Sequence, residues 1–180
     1  RWRAAATAGA DQCIVDVAGE NGAVITVCLA SRASTMTGVG ENWWMHDIPS
    51  MACVMVNPRV GVATKGGCTA LGLGKGELLA GVGDVMLSPG WPAEGASFDE
   101  WIEAVGHGTN DLEKPALKVE PVIGEVLSAL RATEGVKLAW MSGSGATCFA
   151  IFEAIGDAGQ AAKAIAKAHP GWWVHAGVRS

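Results

Sequence analysis

With 180 residues, 49% of them apolar and 17% charged, the chain is long enough to bury a core and too apolar to be disordered. A formal net charge of −5 argues against nucleic acid or an anionic membrane as partner and leaves a small-molecule ligand as the expectation. No stretch approaches the roughly 18 continuous apolar residues of a membrane span.

The opening, RWRAAATAGADQC, lacks a methionine and reads as though something upstream were missing. Residues 12–17 (QCIVDV) and 23–30 (AVITVCLA) predict two strands around the turn-like Gly19-Glu20-Asn21-Gly22. Residues 51–58 (MACVMVNP) predict a third strand, closed by Asn57-Pro58. From Gly66 to Gly95 the glycines, with Pro89 and Pro92, predict connecting segments and at most one short helix. Ser97 with Glu100 three residues later has capping-box spacing and opens a helix, SFDEWIEAVG. Between residues 110 and 133, Val119, Val122, Ile123, Val126, Leu127 and Leu130 recur at helical spacing. Pro115 and Pro121 split that stretch into a short piece and a long helix. Residues 137–152 (KLAWMSGSGATCFAIF) predict strand, loop and strand. Residues 157–168 form an Ala-rich helix stopped by His169-Pro170-Gly171, and 172–177 (WWVHAG) are a last strand. The fold class expected is α+β, an α/β sandwich.

The predicted loop at 142–147 is the most informative stretch. A hairpin needs about two turn residues, yet Ser142, Gly143, Ser144, Gly145, Ala146 and Thr147 intervene, all small. Glycines admit φ > 0, so successive N–H groups can converge on one concavity, and Ser142, Ser144 and Thr147 add hydroxyl donors. The loop is therefore either an anion cradle or a flexible surface connection; a strand follows, so no helix N-terminus contributes. Gly-Leu-Gly-Lys-Gly at 72–76 lacks phosphate-loop spacing and reads as a solvated turn. Five scattered cysteines (Cys13, Cys28, Cys53, Cys68, Cys148), never spaced as Cys-x-x-Cys, suggest reduced, mostly buried thiols in a cytoplasmic protein. No signal-peptide pattern is visible, and no His/Cys/Asp set has metal-ligand spacing.

Several short motifs, in order, resemble those of the GHMP small-molecule kinases, and more narrowly the C-terminal part of an isoprenoid-precursor kinase of that family. They are VCLASRASTMTGVGE (27–41), VMVNPRVGVAT (54–64), NDLEKPAL (110–117), PVIGEVLSALRAT (121–133), LAWMSGSGATCFAIF (138–152) and HPGWWV (169–174). The resemblance implies a ferredoxin-like C-terminal lobe at 51–180 and a remnant of the N-terminal lobe at 1–50. It implies that Thr64 contacts substrate, that Ser142 to Thr147 face nucleotide phosphates, and that Asn110, Asp111 and Glu113 are mainly architectural, a helix-start cap.

The departures imply as much. The family's Pro-x-x-x-Gly-Leu-Gly loop and Lys-bearing strand are missing, and Val24 stands where its catalytic Asp belongs. Lys65 and Cys68 follow Thr64 where Pro and an aromatic are usual, and Trp140 replaces a basic residue. Phosphoryl transfer depends on positioning, charge neutralisation and an oriented nucleophile acting together. The expectation is little or no kinase activity by the chain itself, and catalytic residues are not assigned. No cofactor is required; ATP and magnesium bind only if kinase-like binding survives. A face left by the missing lobe would favour a homo-oligomer.

A second reading is a hydrolase or binding protein for carbohydrate, motivated by 8 Trp without any Tyr, since aromatic faces suit sugar C–H faces. Its candidate acids are Glu41 and Asp47 beside Trp43-Trp44, and Asp99, Glu100 and Glu103 around Trp101. The plainer account is that Trp101 packs the inner face of its helix and the acids are solvated. No Gly-x-Ser-x-Gly elbow exists, and Cys148 reads as core.

Overall fold

The computed structural model describes residues 32–37, 42–62 and 91–179. The chain divides into two compact units between Ile48 and Pro49. The first unit contains a hairpin that the sequence reading did not assign. Its strands are β1 (Ser34–Thr37) and β2 (Asn42–Met45), antiparallel, with Ser34 opposite Met45 and Thr37 opposite Asn42. His46 N–H donates to Ala33 O at 2.8 Å, and its Nε2 is hydrogen-bonded to Thr35 Oγ1 at 2.7 Å. Trp44 and Met45 are exposed.

The second unit is built on four strands: β3 (Met51–Asn57), β4 (Val136–Met141), β5 (Cys148–Phe152) and β6 (Trp173–Arg179). Its helices are α1 (Phe98–Gly106), α2 (Glu113–Val119), α3 (Val122–Arg131) and α4 (Ile155–Ala168). The sheet order is β4-β5-β3-β6, and every neighbouring pair is antiparallel. Taken as β3-α3-β4-β5-α4-β6, this is the split βαβ arrangement of a ferredoxin-like sandwich. The α+β expectation holds.

Periodicity explains the layers. Ala52, Val54 and Val56 alternate along β3 and meet Ile123, Val126, Leu127 and Leu130 of α3 and Ala158, Ala161 and Ile165 of α4. Met51 and Cys53, on the other face of β3, are buried as well. A strand covered on both sides reads as a continuous apolar run, which is what MACVMV is. The prolines act as the sequence suggests: Pro115 lies in the first turn of α2, where its missing N–H costs nothing, and Pro121 is the N-cap of α3.

Three boundaries differ. Val119 is the last residue of α2 and is exposed rather than part of the core stripe, because the break at Pro121 resets the helical phase. Helix α4 starts at Ile155, two residues before Asp157, which places Ile155 in solvent. Strand β6 runs on to Arg179, since pairing with β3 continues to Met51. The strands expected at 12–17 and 23–30 and most of the Gly66–Gly95 segment lie outside the described residues.

Candidate anion-binding loop

Strands β4 and β5 are joined at the sheet's end by residues 142–147. Ser142 N–H donates to Thr147 O at 2.8 Å, continuing the ladder one step beyond the Met141–Cys148 pair. Gly145 N–H closes a tight turn on Ser142 O at 3.0 Å, and the Gly145–Ala146 peptide is cis. Gly143 (φ 54°) and Gly145 (φ 89°) occupy the left-handed region, which a Cβ disfavours. The two glycines are not equivalent. A Cβ on Gly145 would lie 2.9 Å from Met141 Sδ and 3.4 Å from Ile123 Cδ1, whereas one on Gly143 would meet nothing within 4 Å. The loop thus has a packed side, Gly145 with the buried Ala146, and an open side, the exposed Ser142 and Gly143.

Three side chains from other elements fasten it. Asn57, at the end of β3, donates from Nδ2 to Thr147 Oγ1 at 2.8 Å. Asn110, just before α2, donates from Nδ2 to Met141 O at 2.9 Å and to Gly143 O at 2.8 Å, while its Oδ1 accepts from Leu112 N–H at 3.0 Å. One carboxamide therefore shapes the helix start and grips the loop. Glu113 Oε2 accepts from Met141 N–H at 3.4 Å, and its Oε1 lies 3.8 Å from the Arg131 guanidinium, which donates to Ala139 O at 3.3 Å. Because a trans peptide points its N–H opposite its C=O, turning Gly143 O toward Asn110 sends Ser144 N–H the other way. Cys148 follows at the loop's inner end. Burial, reinforced by the charge of Glu113 and partly opposed by Arg131, pushes its thiol up to about 12, so it is a neutral core residue and no nucleophile. None of the six loop residues ionises, so the loop can bind and orient an anion but cannot move a proton.

The other candidates are dispersed. Thr64 and Glu41 lie outside the described residues. Asp47 is exposed in the hairpin unit and sits 3.5 Å from Arg32. Asp99 and Glu103 are exposed on α1. Glu100 Oε2 accepts from Ser97 Oγ–H at 2.7 Å and Ser97 N–H at 2.8 Å, bonds that hold its carboxyl below the usual range. Trp101 is 2% exposed and stacks on Trp91 at 6.1 Å, so it is core rather than platform. Among the described residues no group of three or more His, Cys, Asp or Glu could hold a metal ion. An open groove of about 650 Å³ runs between α3 and α4, past Thr133, Glu134, Asp157, Gln160 and His169, and contains none of the candidate site residues.

Asn57 is the functional-looking residue that sequence reasoning took only for a strand stop. Its partner is 90 positions away, and the contact exists only because β3 pairs with β5 in the register that sets Val56 opposite Cys148.

Residues 94–171 match the family model described as GHMP kinases C terminal. The chain is 59% identical over 164 residues to the 4-diphosphocytidyl-2-C-methyl-D-erythritol kinase of Bradyrhizobium sp. (strain ORS 278), an alignment covering 91% of this chain and 55% of that protein. To the protein of the same name from Rhodopseudomonas palustris (strain HaA2) it is 53% identical over 175 residues, covering 97% and 59%. A solved structure described as 4-(cytidine 5'-diphospho)-2C-methyl-D-erythritol kinase superposes with a TM-score of 0.62 at 27% identity, covering 93% of this chain and 57% of that one. The chain thus spans a little over half the length of the curated relatives it matches.

Proposed function

From a chain that belongs to the GHMP kinases through their C-terminal domain, we propose a function as the phosphate-holding half of a small-molecule kinase site. Ser142 to Thr147 hold the phosphate groups of a nucleotide or of a phosphorylated substrate. The observation that carries this is the loop's division of labour: Asn57 and Asn110 fix its shape while Gly143 stays open to an incoming ligand. The substrate class suggested by the relatives' names is a cytidine-diphosphate-linked methylerythritol.

The chain by itself has little or no phosphoryl-transfer activity. A loop without an ionisable group cannot neutralise the charge that develops on a transferring phosphoryl group or take a proton from the accepting hydroxyl. Those tasks fall to groups beyond the loop. Glycoside hydrolysis has no support among the described residues: Glu100 is committed to a helix cap, and Asp99 and Glu103 are solvated on α1.

The test is calorimetric titration of the chain with inorganic tripolyphosphate and with ATP and magnesium. Binding is expected, and Gly143→Val is expected to remove it at a stability cost of about 1–2 kcal/mol, the cost of a φ of 54° at a position where a Cβ meets nothing within 4 Å. Absence of binding at millimolar ligand overturns the reading. An assay with ATP and 4-diphosphocytidyl-2-C-methyl-D-erythritol is expected to show no turnover, and robust turnover overturns the inactivity.

A further inference from the structure

Arg59 is the non-glycine residue with positive φ among the described residues, at 61°. Glycine takes that conformation without cost, and any side chain there opposes the backbone. What holds it is Asn57, whose Oδ1 accepts from Arg59 N–H at 2.7 Å while its Nδ2 donates to Thr147 Oγ1 at 2.8 Å. One carboxamide therefore ties the Arg59 turn directly to the Gly-rich loop. The two bonds in series keep Arg59 N within about 8 Å of Thr147 Oγ1, and an extended arginine spans about 6–7 Å from Cα to its guanidinium. Arg59 is exposed, and no ion pair among the described residues engages it.

We infer that Arg59 is the cationic arm of the loop's anion site, with Asn57 as the positioning residue that sets arm and loop in one register; this rests on the anion-binding reading above. The loop supplies neutral donors only. A guanidinium adds the permanent charge and forked N–H donors that phosphate recognition favours, and it selects for polyphosphate over a singly charged anion.

The experiment is titration with inorganic tripolyphosphate of the wild-type chain and of Arg59→Gly, Arg59→Lys, Asn57→Ala and the double variant Asn57→Ala/Arg59→Gly. Arg59→Gly suits the left-handed backbone, so unfolding should scarcely change, whereas Kd should rise at least tenfold and lose part of its salt dependence. Arg59→Lys should keep most of the affinity. Asn57→Ala should weaken binding, and the two losses should sum to less than additive in the double variant, because part of what the asparagine does, beside holding Thr147, is to aim the arginine. Wild-type binding that Arg59→Gly leaves intact overturns the assignment of Arg59 while the loop reading stands. Fully additive losses overturn the positioning role of Asn57. No wild-type binding overturns the loop reading and this inference with it.

Discussion

The β4–β5 loop and the start of α1 both carry residues that the sequence singles out, and they are held by opposite means. The loop takes its side-chain hydrogen bonds from Glu113, Asn110 and Asn57, between 28 and 90 positions away. Helix α1 closes its own N-terminus: Ser97 and Glu100, three positions apart, bond each other's backbone N–H. A local cap forms wherever its helix forms. The loop's shape exists only when β3, the α2 start and the β4–β5 hairpin are already assembled, so its geometry is as stable as the whole unit and no more.

The sharpest way to break this contrast is at the loop's packed side. Gly145→Val places a β-branched side chain at φ 89° with a Cβ 2.9 Å from Met141 Sδ. Overpacking and backbone strain together should cost on the order of 3 kcal/mol or more, lowering Tm by roughly 10 °C in a chain of this size. A loss below about 1 kcal/mol in denaturant unfolding would mean that this side of the loop is not fixed by the core.

Next comes the clasp. Asn110→Ala strips hydrogen bonds from Met141 O, Gly143 O and Leu112 N–H together, and a loss of about 2 kcal/mol is expected. Asn110→Asp separates the two duties, because a carboxylate still accepts from Leu112 N–H but donates nothing to the loop carbonyls. It should therefore destabilise nearly as much. Recovery of most of the stability by Asp would assign the residue to the helix start alone.

These two variants also mark how far the sequence could be read. Sheet and helices were legible because each obeys a local rule: alternation in MACVMV, a 3.6 period in VIGEVLSALR, Ser-x-x-Glu before α1, and prolines at helix starts. The β1–β2 hairpin was missed because the Trp43-Trp44 pair invites reading as a binding platform. The better signal is two short β-prone runs around a Gly-containing gap. Trp172 and Trp173 look alike on paper, yet the first, in the bend before β6, stacks on His169 and packs against the core, while the second opens the strand and is exposed. Gly143 and Gly145 look equally alike, and only the proximity of Met141 and Ile123 makes one structural and leaves the other open. Asn57 could not have been found at all without the register of β3 on β5.

Cys148 sharpens the comparison from inside the loop's base. Its folded-state pKa lies above the ordinary thiol value of 9.0, at about 12. The neutral thiol is favoured in the folded state, so its stabilising contribution is complete below pH 9 and is lost as pH rises from 9 toward 12. The slope is about 1.4 kcal/mol per pH unit. Unfolding measured at pH 8 and pH 10 should show that loss in the wild type, and Cys148→Ala should reduce it. Equal slopes would place water beside the thiol.

The smallest effect belongs to α1. Ser97→Ala removes the acceptor for Glu100 N–H and a donor to the Glu100 carboxylate, for a loss of about 1 kcal/mol. Because the Ser97 bonds hold the Glu100 carboxyl below its usual range, their contribution is present above the ordinary carboxylate pKa and fades as pH falls through the lowered one. The stability gap between wild type and Ser97→Ala should therefore narrow in acid, leaving the part due to the Glu100 N–H bond to Ser97 Oγ. The loop's tripolyphosphate affinity should be the same in both proteins, since nothing in the cap reaches Ser142 to Thr147. A change in that affinity would show that the two regions are coupled and that the division between local and long-range support is wrong.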